Sequence, residues 1–302
     1  MVMRTGGFSS LIAPGFRKVF FDDFKGIPTE YDKVANILKS DQNYEKDYEM
    51  SMLGGTFPTK GEGVSIQYVD PVSGNTKTYT HVTYGLGFRI TEEMYEDDLY
   101  NTMGKKASKG LAKAAANNLE VRWALLLDDL NTGTYYTGFD SVRCCYATGH
   151  SILYTGGTYA NAPTTAVDLG VTSLQAGITN IEKQPDRDGV IAGLRASKLV
   201  IAADQRFMAK EMLKSEYKPF TANNEINSLK DEGLTYIVSH YMADLDMWIL
   251  LADKHDLNFF WRRRTRFDNS DDFDTGDAKF KASQRYSMGF GDWRGTYATI
   301  GG

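Results

Sequence analysis

The sequence predicts an α+β protein organised around one long helix. An Ala-rich segment from Gly104 to Gly133 has the spacing of a helix, whereas the sequence on either side alternates apolar and polar residues as strands do. A compact succession of strand and helix patterns lies between residues 136 and 254. A chain of 302 residues can bury a sizeable core, which we expect to be divided between two lobes.

The first 40 residues predict a helical arm. Gly and Pro residues interrupt them, but five apolar residues keep helical spacings: Phe16, Val19, Phe20, Phe21 and Phe24. Such a segment has few neighbours in sequence to pack on. We therefore expect it to dock elsewhere, with another subunit as the candidate.

Residues 41–90 predict an extended two-stranded ribbon. Alternation begins at Tyr44, and strand Val64–Val69 is expected to pair with Thr76–Tyr84 through a turn at residues 70–75. Neither strand has a strongly apolar face, and an isolated two-stranded ribbon is marginally stable in water. The ribbon therefore needs a partner surface, which is hard to find in a monomer.

Residues 91–135 predict the long helix. Thr91 is the expected N-cap of a first helical segment, and Gly104 is a candidate kink. From Lys105 to Asn131 the helix is expected to run roughly 40 Å, at the rise of an α-helix. Its apolar stripe contains Leu111, Ala115, Leu119, Arg122–Trp123, Leu126 and Leu130, and Asn131 and Gly133 are expected to end it.

Residues 136–254 predict an α/β lobe, and residues 255–302 predict long strands. The elements expected in the lobe are helix Val167–Lys183 with Asp168 near its cap, strand Lys198–Ala202, helix Gln205–Lys214 capped by Asp204, and strands Thr235–Ser239 and Met247–Ala252. After Asp256, LNFFWRRRTRF is one long strand, and an acidic turn and a second strand follow. We expect the two long strands to pack beside the long helix.

Composition excludes several classes of protein. The formal net charge of -5 gives no overall signal for binding to nucleic acid or membrane. The longest apolar runs, Leu125–Leu127 and Trp248–Ala252, are far shorter than the roughly 20 residues that span a bilayer, and the N-terminus lacks the apolar block of a secretory signal. Cys144 and Cys145 are adjacent and form no disulfide framework, which fits a reducing cytoplasm.

Asp268–Asp277 is the best metal candidate, because calcium and magnesium prefer hard oxygen ligands such as carboxylates. The segment departs from the EF-hand pattern, since Phe273 stands where the sharp turn needs a glycine and no closing glutamate follows. A solvated hairpin turn is the favoured interpretation.

Arg262, Arg263, Arg264 and Arg266 form the densest basic run. On a regular strand, alternation sends Arg262 and Arg264 to one face and Arg263 to the other. One hypothesis is contact with phosphates that does not depend on sequence. The favoured hypothesis is salt bridging between subunits, with acidic runs such as Glu92–Asp98.

No catalytic or nucleotide-binding motif is recognisable. The glycines at residues 61–63 and 85–87 lack the spacing of phosphate-binding loops. His81, His150, His240 and His255 are scattered without paired ligands, and Cys144 has no nearby histidine in sequence to activate it. We therefore predict no catalytic, cofactor or metal residues, and a structural protein rather than an enzyme.

The order of these parts resembles the major capsid protein of tailed bacteriophages, which has the Hong Kong 97 fold, and is most similar to the Mu-like major head subunit group. The resemblance covers essentially the whole chain. It is carried by ITEEMYEDDLYN leading into LAKAAANNLEVRWALLLDD, by KLVIAADQRFMAKEMLKSEYKPF, and by LNFFWRRRTRFDNSDDFDTGDAKFKASQRYSMGFGDW. It implies an N-terminal arm (1–40), an extended β-ribbon loop (41–90), a peripheral domain with the spine helix (91–135), an axial domain (136–254) and long strands that return to the peripheral domain (255–302).

The resemblance also implies a function. Pentamers and hexamers of the chain would form an icosahedral shell around double-stranded DNA, with the arm and the ribbon locking neighbours together. It implies weak DNA contact that does not depend on sequence, a portal, decoration proteins, a place in the virion capsid and assembly in the host bacterial cytoplasm.

Two features of relatives need separate treatment. Some carry a scaffolding segment that is cleaved off; here the arm starts almost at Met1, so we expect a separate scaffolding protein or a chain already processed. Some crosslink a ribbon lysine to an asparagine of the next subunit. Lys60 and Lys77 lie in the matching region, but no partner asparagine is identifiable, and crosslinking is the less favoured outcome.

Two alternatives stay open at this point. An encapsulin-type compartment shares the fold, and a co-purifying cargo enzyme in place of DNA would favour it. The other alternative is an α+β enzyme or calcium-binding module that uses the turn at residues 268–277. That alternative predicts a monomer whose stability depends on calcium.

Overall fold

A computed structural model describes residues 8–51, 54–97, 100–217, 226–272 and 274–302. The described chain is a mixed α+β structure. Its helices are α1 (Phe8–Gly26), α2 (Tyr31–Val34), α3 (Glu92–Glu96), α4 (Tyr100–Asp129), α5 (Val171–Glu182) and α6 (Arg206–Lys214). Its strands are β1 (Asn36–Lys39), β2 (Tyr44–Met50), β3 (Ser73–Thr80), β4 (Val82–Ile90), β5 (His150–Ser151), β6 (Thr158–Tyr159), β7 (Ala196–Ala202), β8 (Thr235–Ser239), β9 (Trp248–Ala252), β10 (Asn258–Asp271), β11 (Ala278–Gly289) and β12 (Thr296–Thr299).

The predicted long helix is present as α4, and it is continuous through Gly104. The prediction of a kink at Gly104 is therefore wrong. This glycine lies where α4 meets α1, and a Cβ added there would lie 2.3 Å from Cζ of the Phe16 ring. Gly133, at φ +68°, has the left-handed conformation expected just beyond the helix end. The buried stripe of α4 includes Leu111, Leu119, Trp123 and Leu126, and Leu130 is buried just beyond the helix end, whereas Arg122 is exposed.

A first sheet is built on the long hairpin of β10 and β11, as the sequence predicts. Its strand order is β1-β10-β11-β4. β1 runs parallel to β10, whereas β11 is antiparallel to both of its neighbours, β10 and β4. The helices α1 and α4 contact this sheet, so its apolar residues are enclosed between helices and strands.

The N-terminal helix α1 packs on its own chain. Phe16 and Phe20 are buried, and they contact the rings of Phe280 and Phe267 at centroid distances of 5.4 and 5.3 Å. The amphipathic helix is confirmed; its apolar face, expected to dock elsewhere with another subunit as the candidate, is covered by the same chain. Its apolar face finds a partner far away in sequence, which a local pattern cannot reveal.

A second sheet forms the lobe predicted from the α/β pattern. Its order is β12-β9-β7-β8, with α5 and α6 packed against it. The outer strand β12 pairs with β9. The sequence assigns all residues after 255 to long strands that return to the first sheet, and the structure corrects this assignment for residues 296–299.

The residue that caps the start of a helix matches the sequence prediction for α3 but not for α6. The backbone N–H of Met94 donates to Oγ1 of Thr91 at 3.4 Å, so Thr91 caps α3 as predicted. Asp204 does not cap α6, because it lies in a 3₁₀ turn and Gln205 occupies the cap position without a side-chain bond. Near α5, the carbonyl oxygen of Asp168 accepts from the hydroxyl of Ser173, and Gly170 takes the cap position.

The predicted ribbon exists, but its strands differ from the prediction. β2 pairs with β3 in antiparallel orientation, from Tyr44 opposite Thr80 to Met50 opposite Ser73. Val64–Val69, predicted to be the partner of residues 76–84, has no strand structure and lies in an exposed stretch. The pattern of this segment is that of a strand, but the described chain offers no neighbouring strand beside it.

We expect replacement of Gly104 by Ala to destabilise the fold, because the new Cβ enters the space of the Phe16 ring and separates α1 from α4. The expected loss in the free energy of unfolding is about 1–3 kcal/mol, measured by urea denaturation of the unassembled chain. Gly110→Ala is the matched control in the same helix. An added Cβ there meets nothing within 4 Å, so it should gain up to about 1 kcal/mol of helix propensity. Equal stability of the two variants would contradict the close helix contact.

Candidate assembly surfaces

The root of the ribbon is held by a buried histidine. His81 lies between β3 and β4; its Nε2 is 2.8 Å from Oγ of Ser40, and its Nδ1 is 3.0 Å from Oγ of Ser287. Burial lowers the pKa of His81, and the nearby charge of Arg285 acts in the same direction. The root therefore depends on a neutral imidazole that links the ribbon to β11.

The side of the ribbon rests on its own chain. The side-chain amide of Asn75 donates to the carbonyl oxygen of Phe139 at 2.9 Å. Nζ of Lys77 donates to Oγ1 of Thr137 at 3.2 Å, and partial burial lowers the pKa of Lys77. The ribbon is thus less isolated than its sequence suggests. Of the two lysines considered for crosslinking, Lys77 is occupied within the chain, and Lys60 lies in the exposed stretch.

The stretch from residue 54 to residue 72, here called the tip, is almost entirely exposed. Phe57 has 102% of the reference exposure and Tyr68 has 91%, while Val64 and Ile66 are also exposed. Apolar side chains in this number and sequence proximity are costly to leave in water and mark an interaction surface. The tip is therefore the strongest candidate for contact with another molecule.

The second lobe carries a smaller exposed apolar area. Phe207 and Met208 project from α6, and Ile226 lies just after a part of the chain outside the described residues. Ile226 is bridged to Tyr217 across that gap. This area is a second candidate contact surface.

The acidic turn does not gather its carboxylates around a metal. Asp268 pairs with Arg266 at 2.6 Å, Asp272 pairs with Lys279, and Asp277 lies 3.5 Å from Arg89. The described residues contain no group of three or more His, Cys, Asp or Glu side chains that could hold a metal ion. Neighbouring cations compensate these three carboxylates, and Asp277 is buried rather than solvated. The expectation of a turn without a metal stays a prediction. Phe273, which decides the EF-hand comparison, lies outside the described residues.

The arginine run follows the local irregularity of β10 rather than a simple alternation. The pairing of β10 with β11 shifts register between Trp261 and Arg263, and again between Arg263 and Arg266. Arg264 lies over the ring of Trp261 at 4.6 Å, and Arg263 donates to Oγ of Ser283 at 3.1 Å. These contacts are internal, and the predicted salt bridges to Glu92–Asp98 of another subunit stay a prediction.

Cys144 and His150 are close in the fold but are not arranged as a nucleophile and its base. Nε2 of His150 is 3.0 Å from the carbonyl oxygen of Cys144, and its Nδ1 is 2.6 Å from Asp140. The Cys144 thiol is fully buried, and burial raises its pKa, which disfavours the thiolate. The imidazole fixes backbone geometry at this position.

Sequence reasoning missed the polar centre around His150. The side-chain amide of Asn161 donates to the carbonyl oxygens of Cys144 and Thr296 at 2.8 and 3.2 Å. Its Oδ1 accepts from the backbone N–H of Tyr146 at 2.9 Å. Asn161 thus ties the loop at residues 144–146 to β12 of the second sheet, and no local sequence signal distinguishes it from a surface asparagine.

The two remaining histidines occupy different environments. Nδ1 of His240 is 2.5 Å from Oε1 of Glu30 at an exposed position, which fastens the segment before α2. Burial lowers the pKa of His255 to about 4, and the nearby Lys198 acts in the same direction. The four histidines do not converge on one site.

Among the helices of the described residues, none combines the length and the apolar character needed to cross a membrane.

Together, the long helix beside a sheet of long strands, the separate second lobe and the projecting ribbon with its apolar tip define a shell-forming capsid subunit of the Hong Kong 97 type. The chain matches the family of phage capsid proteins over residues 74–299. It belongs to this family and is a structural protein of a phage head. No curated protein sequence matches the chain.

Solved structures show the same fold at very low sequence identity. A chain from Microbacterium phage Oxtober96 is 7% identical with a TM-score of 0.55, covering 91% of this chain and 92% of that one. A chain of the mature capsid of bacteriophage PhiM1 is 10% identical with a TM-score of 0.54, covering 90% and 86%. A virus-like particle from Pyrococcus furiosus gives 10% identity and a TM-score of 0.53, covering 94% and 97%.

The lowered pKa of His81 makes the stability of the ribbon root depend on pH. The unfolded chain takes up a proton near pH 6.5, whereas folded His81 stays neutral to lower pH. The contribution of neutral His81 to the free energy of unfolding is therefore complete above about pH 6.5. It is lost as the pH falls below this value, until folded His81 is protonated too.

We expect His81→Gln to weaken this dependence, because an amide bridges the two serines without titrating. Between pH 7 and pH 5 the variant should lose less free energy of unfolding than the wild type, by up to about 1.4 kcal/mol per pH unit. Urea denaturation of both unassembled proteins at several pH values measures this difference, and contributions from other groups cancel in it. Parallel pH profiles would show that His81 does not titrate in this range.

Proposed function

We propose that this chain is the major capsid protein of a tailed phage or prophage and assembles as pentamers and hexamers into an icosahedral shell. The observation that carries the proposal is the tip, because it presents Phe57, Tyr68 and their apolar neighbours to solvent on a ribbon anchored by its own chain. Membership in the phage capsid family supports the same function. The role is structural rather than catalytic.

The proposed mechanism of assembly is geometric. α1 is already packed on its own chain, so the ribbon and its tip are the elements that reach towards neighbours. Many repeated contacts of this kind stabilise a closed shell, although each contact is small. The exposed apolar residues of α6 supply a second contact between subunits.

The wider assembly follows from the same proposal. The shell encloses double-stranded DNA, and a chain with net charge -5 contacts it weakly and without sequence preference. Its partners are a separate scaffolding protein, a portal and decoration proteins. We place assembly in the cytoplasm of the host bacterium, and we assign the chain to the Mu-like group of major head subunits.

A second candidate function is an encapsulin-type compartment. The similarity in fold to the virus-like particle from Pyrococcus furiosus favours it as the alternative. The contents of purified shells separate the two functions, since DNA supports the phage head and a cargo enzyme supports the compartment.

The test is electron microscopy and sedimentation of the purified chain, expressed alone and with its genomic neighbours. We expect closed shells or hexamer-sized rings from the wild type. Serine at positions 57, 64, 66 and 68 together should abolish assembly and leave the unfolding transition of the monomer unchanged, because all four side chains are exposed.

The matched control places alanine at three polar positions of the same tip, Thr59, Ser65 and Gln67, which should leave assembly intact. A wild-type chain that stays monomeric in every preparation would overturn the proposed function. Assembly of the serine variant at the level of the wild type would show that the tip is not an assembly surface.

A further inference from the structure

We propose that Val64–Val69 of one copy adds as a fifth strand to the free edge of β4 in a neighbouring copy. The inference rests on the proposed function, since it names the contact that the tip makes in the shell. It joins two features that are incomplete among the described residues of one chain: the β4 edge, which has no strand beside it, and a strand-like segment that belongs to no sheet.

The two edges of the first sheet differ in their protection. Beyond Trp261, no described strand pairs with the outer edge of β10, but that edge has register shifts and three arginines at positions 262, 264 and 266. Charges and bulges of this kind prevent pairing with other chains. The other edge, β4, pairs with β11 without a register shift from Val82 to Ile90, and Arg89 is its only charged residue. β4 is therefore an edge that is open to a further strand.

The face of β4 that lies towards α4 is apolar and incompletely covered. Alternation places Val82, Tyr84, Leu86, Phe88 and Ile90 on one face. Ile90 is buried, but Leu86 is 59% exposed and Val82 is 48% exposed. The part of this face along the free edge of β4, here called the rim, is therefore less buried than the part around Ile90.

A groove at this rim leads under the sheet. A cavity of about 220 Å³ lies between α4 and the strands, lined in part by Leu86, Leu111, Ala114 and Ala115. Its lining is mainly apolar, because small alanines of α4 face Leu86 across it. An added strand would place one row of its side chains at the mouth of this groove.

Val64–Val69 has the pattern that such a strand needs. Val64, Ile66 and Tyr68 alternate with Ser65, Gln67 and Val69, so one row is wholly apolar and the other is polar except for Val69 at its end. Branched and aromatic residues favour strand structure. The apolar row is exposed in the single chain, and pairing with β4 would set it beside Val82, Tyr84 and Leu86.

The strand cannot come from the same chain. β3 has eight residues and separates the tip from β4 by about 23 Å at the rise of a strand. Val69 is only three residues before Val72, the last residue of the tip before β3, so the two residues can lie at most roughly 10 Å apart. The single residue between β3 and β4, His81, is too short to make a hairpin, so β4 leads away from the tip. A second copy is therefore the source of the strand.

Charges at the two ends agree with this pairing in either strand direction. Glu62 precedes the segment and Asp70 follows it. At one end of β4, the Arg122 guanidinium lies 5.4 Å from the centre of the Tyr84 ring. At the other end, the Arg89 side chain is 69% exposed, although it lies 3.5 Å from Asp277. In either strand direction, one of Glu62 and Asp70 would lie near Arg122 and the other near Arg89.

Disulfide scanning in assembled particles tests the pairing directly. Leu86→Cys is combined in turn with cysteine at 64, 66 and 68, and with cysteine at 65 and 67 as matched controls on the opposite face. Directly opposed residues on neighbouring strands lie about 4.5–5.5 Å apart at Cα, within the range of a disulfide. The native Cys144 and Cys145 are buried and do not compete.

We expect covalent dimers between chains for at least one of the positions 64, 66 and 68, and none for 65 and 67, on non-reducing gels. Equal bridging of both sets, or well-formed shells without any bridge, would overturn the pairing and leave the proposed function standing. Failure of the wild type to assemble would overturn the proposed function and, with it, this contact.

A charge on the edge gives a second test that does not need oxidation. Leu86→Lys and Thr83→Lys place lysine on opposite faces of β4 at positions that are both exposed in the single chain. We expect Leu86→Lys to lower the assembled fraction about tenfold, and Thr83→Lys to change it less than about twofold. Sedimentation measures the assembled fraction, and thermal unfolding of the monomer confirms that both variants fold. Normal assembly of Leu86→Lys would exclude a strand at this rim.

Discussion

The C-terminal half of α4 is the contact on which the rest of the structure depends. Leu119, Trp123 and Leu126 are buried in one continuous cluster with Phe259 of the first sheet. The same cluster includes Ile249 and Leu251 of the second sheet. The helix therefore belongs to an apolar cluster that both sheets share, and burial of that apolar area stabilises the contact between them.

Elements with a strong local period were predictable from the sequence. The buried stripe of α4 and the long hairpin of β10 and β11 depend on neighbours a few residues away, and both are present, although register shifts interrupt the alternation of β10. Contacts between distant residues were not predictable. Phe16 finds Phe280 far along the chain, and Gly104 serves that contact rather than a kink. A local pattern shows that a face is apolar, but it does not show what covers it.

The same limit explains the candidate sites. The ribbon at residues 41–90 was predicted to need a partner surface, yet the strand assigned to Val64–Val69 is not formed in the described chain. A strand is stabilised by its neighbours, so its pattern alone does not create one. The carboxylates of the acidic turn resembled a metal site in sequence, but they are compensated by lysine and arginine. Asn161 gave no signal because its partners come from two separate segments, the loop at residues 144–146 and strand β12.

The return of β12 to the second sheet has a consequence for synthesis on the ribosome. β12 follows β10 and β11 in the chain but pairs with β9, and its Ala298 belongs to the cluster around α4. The second sheet thus obtains its outer strand only after every strand of the first sheet has been made. A nascent chain can pair all strands of the first sheet once β11 has been made, whereas its second sheet stays without its outer strand until residues 296–299 follow.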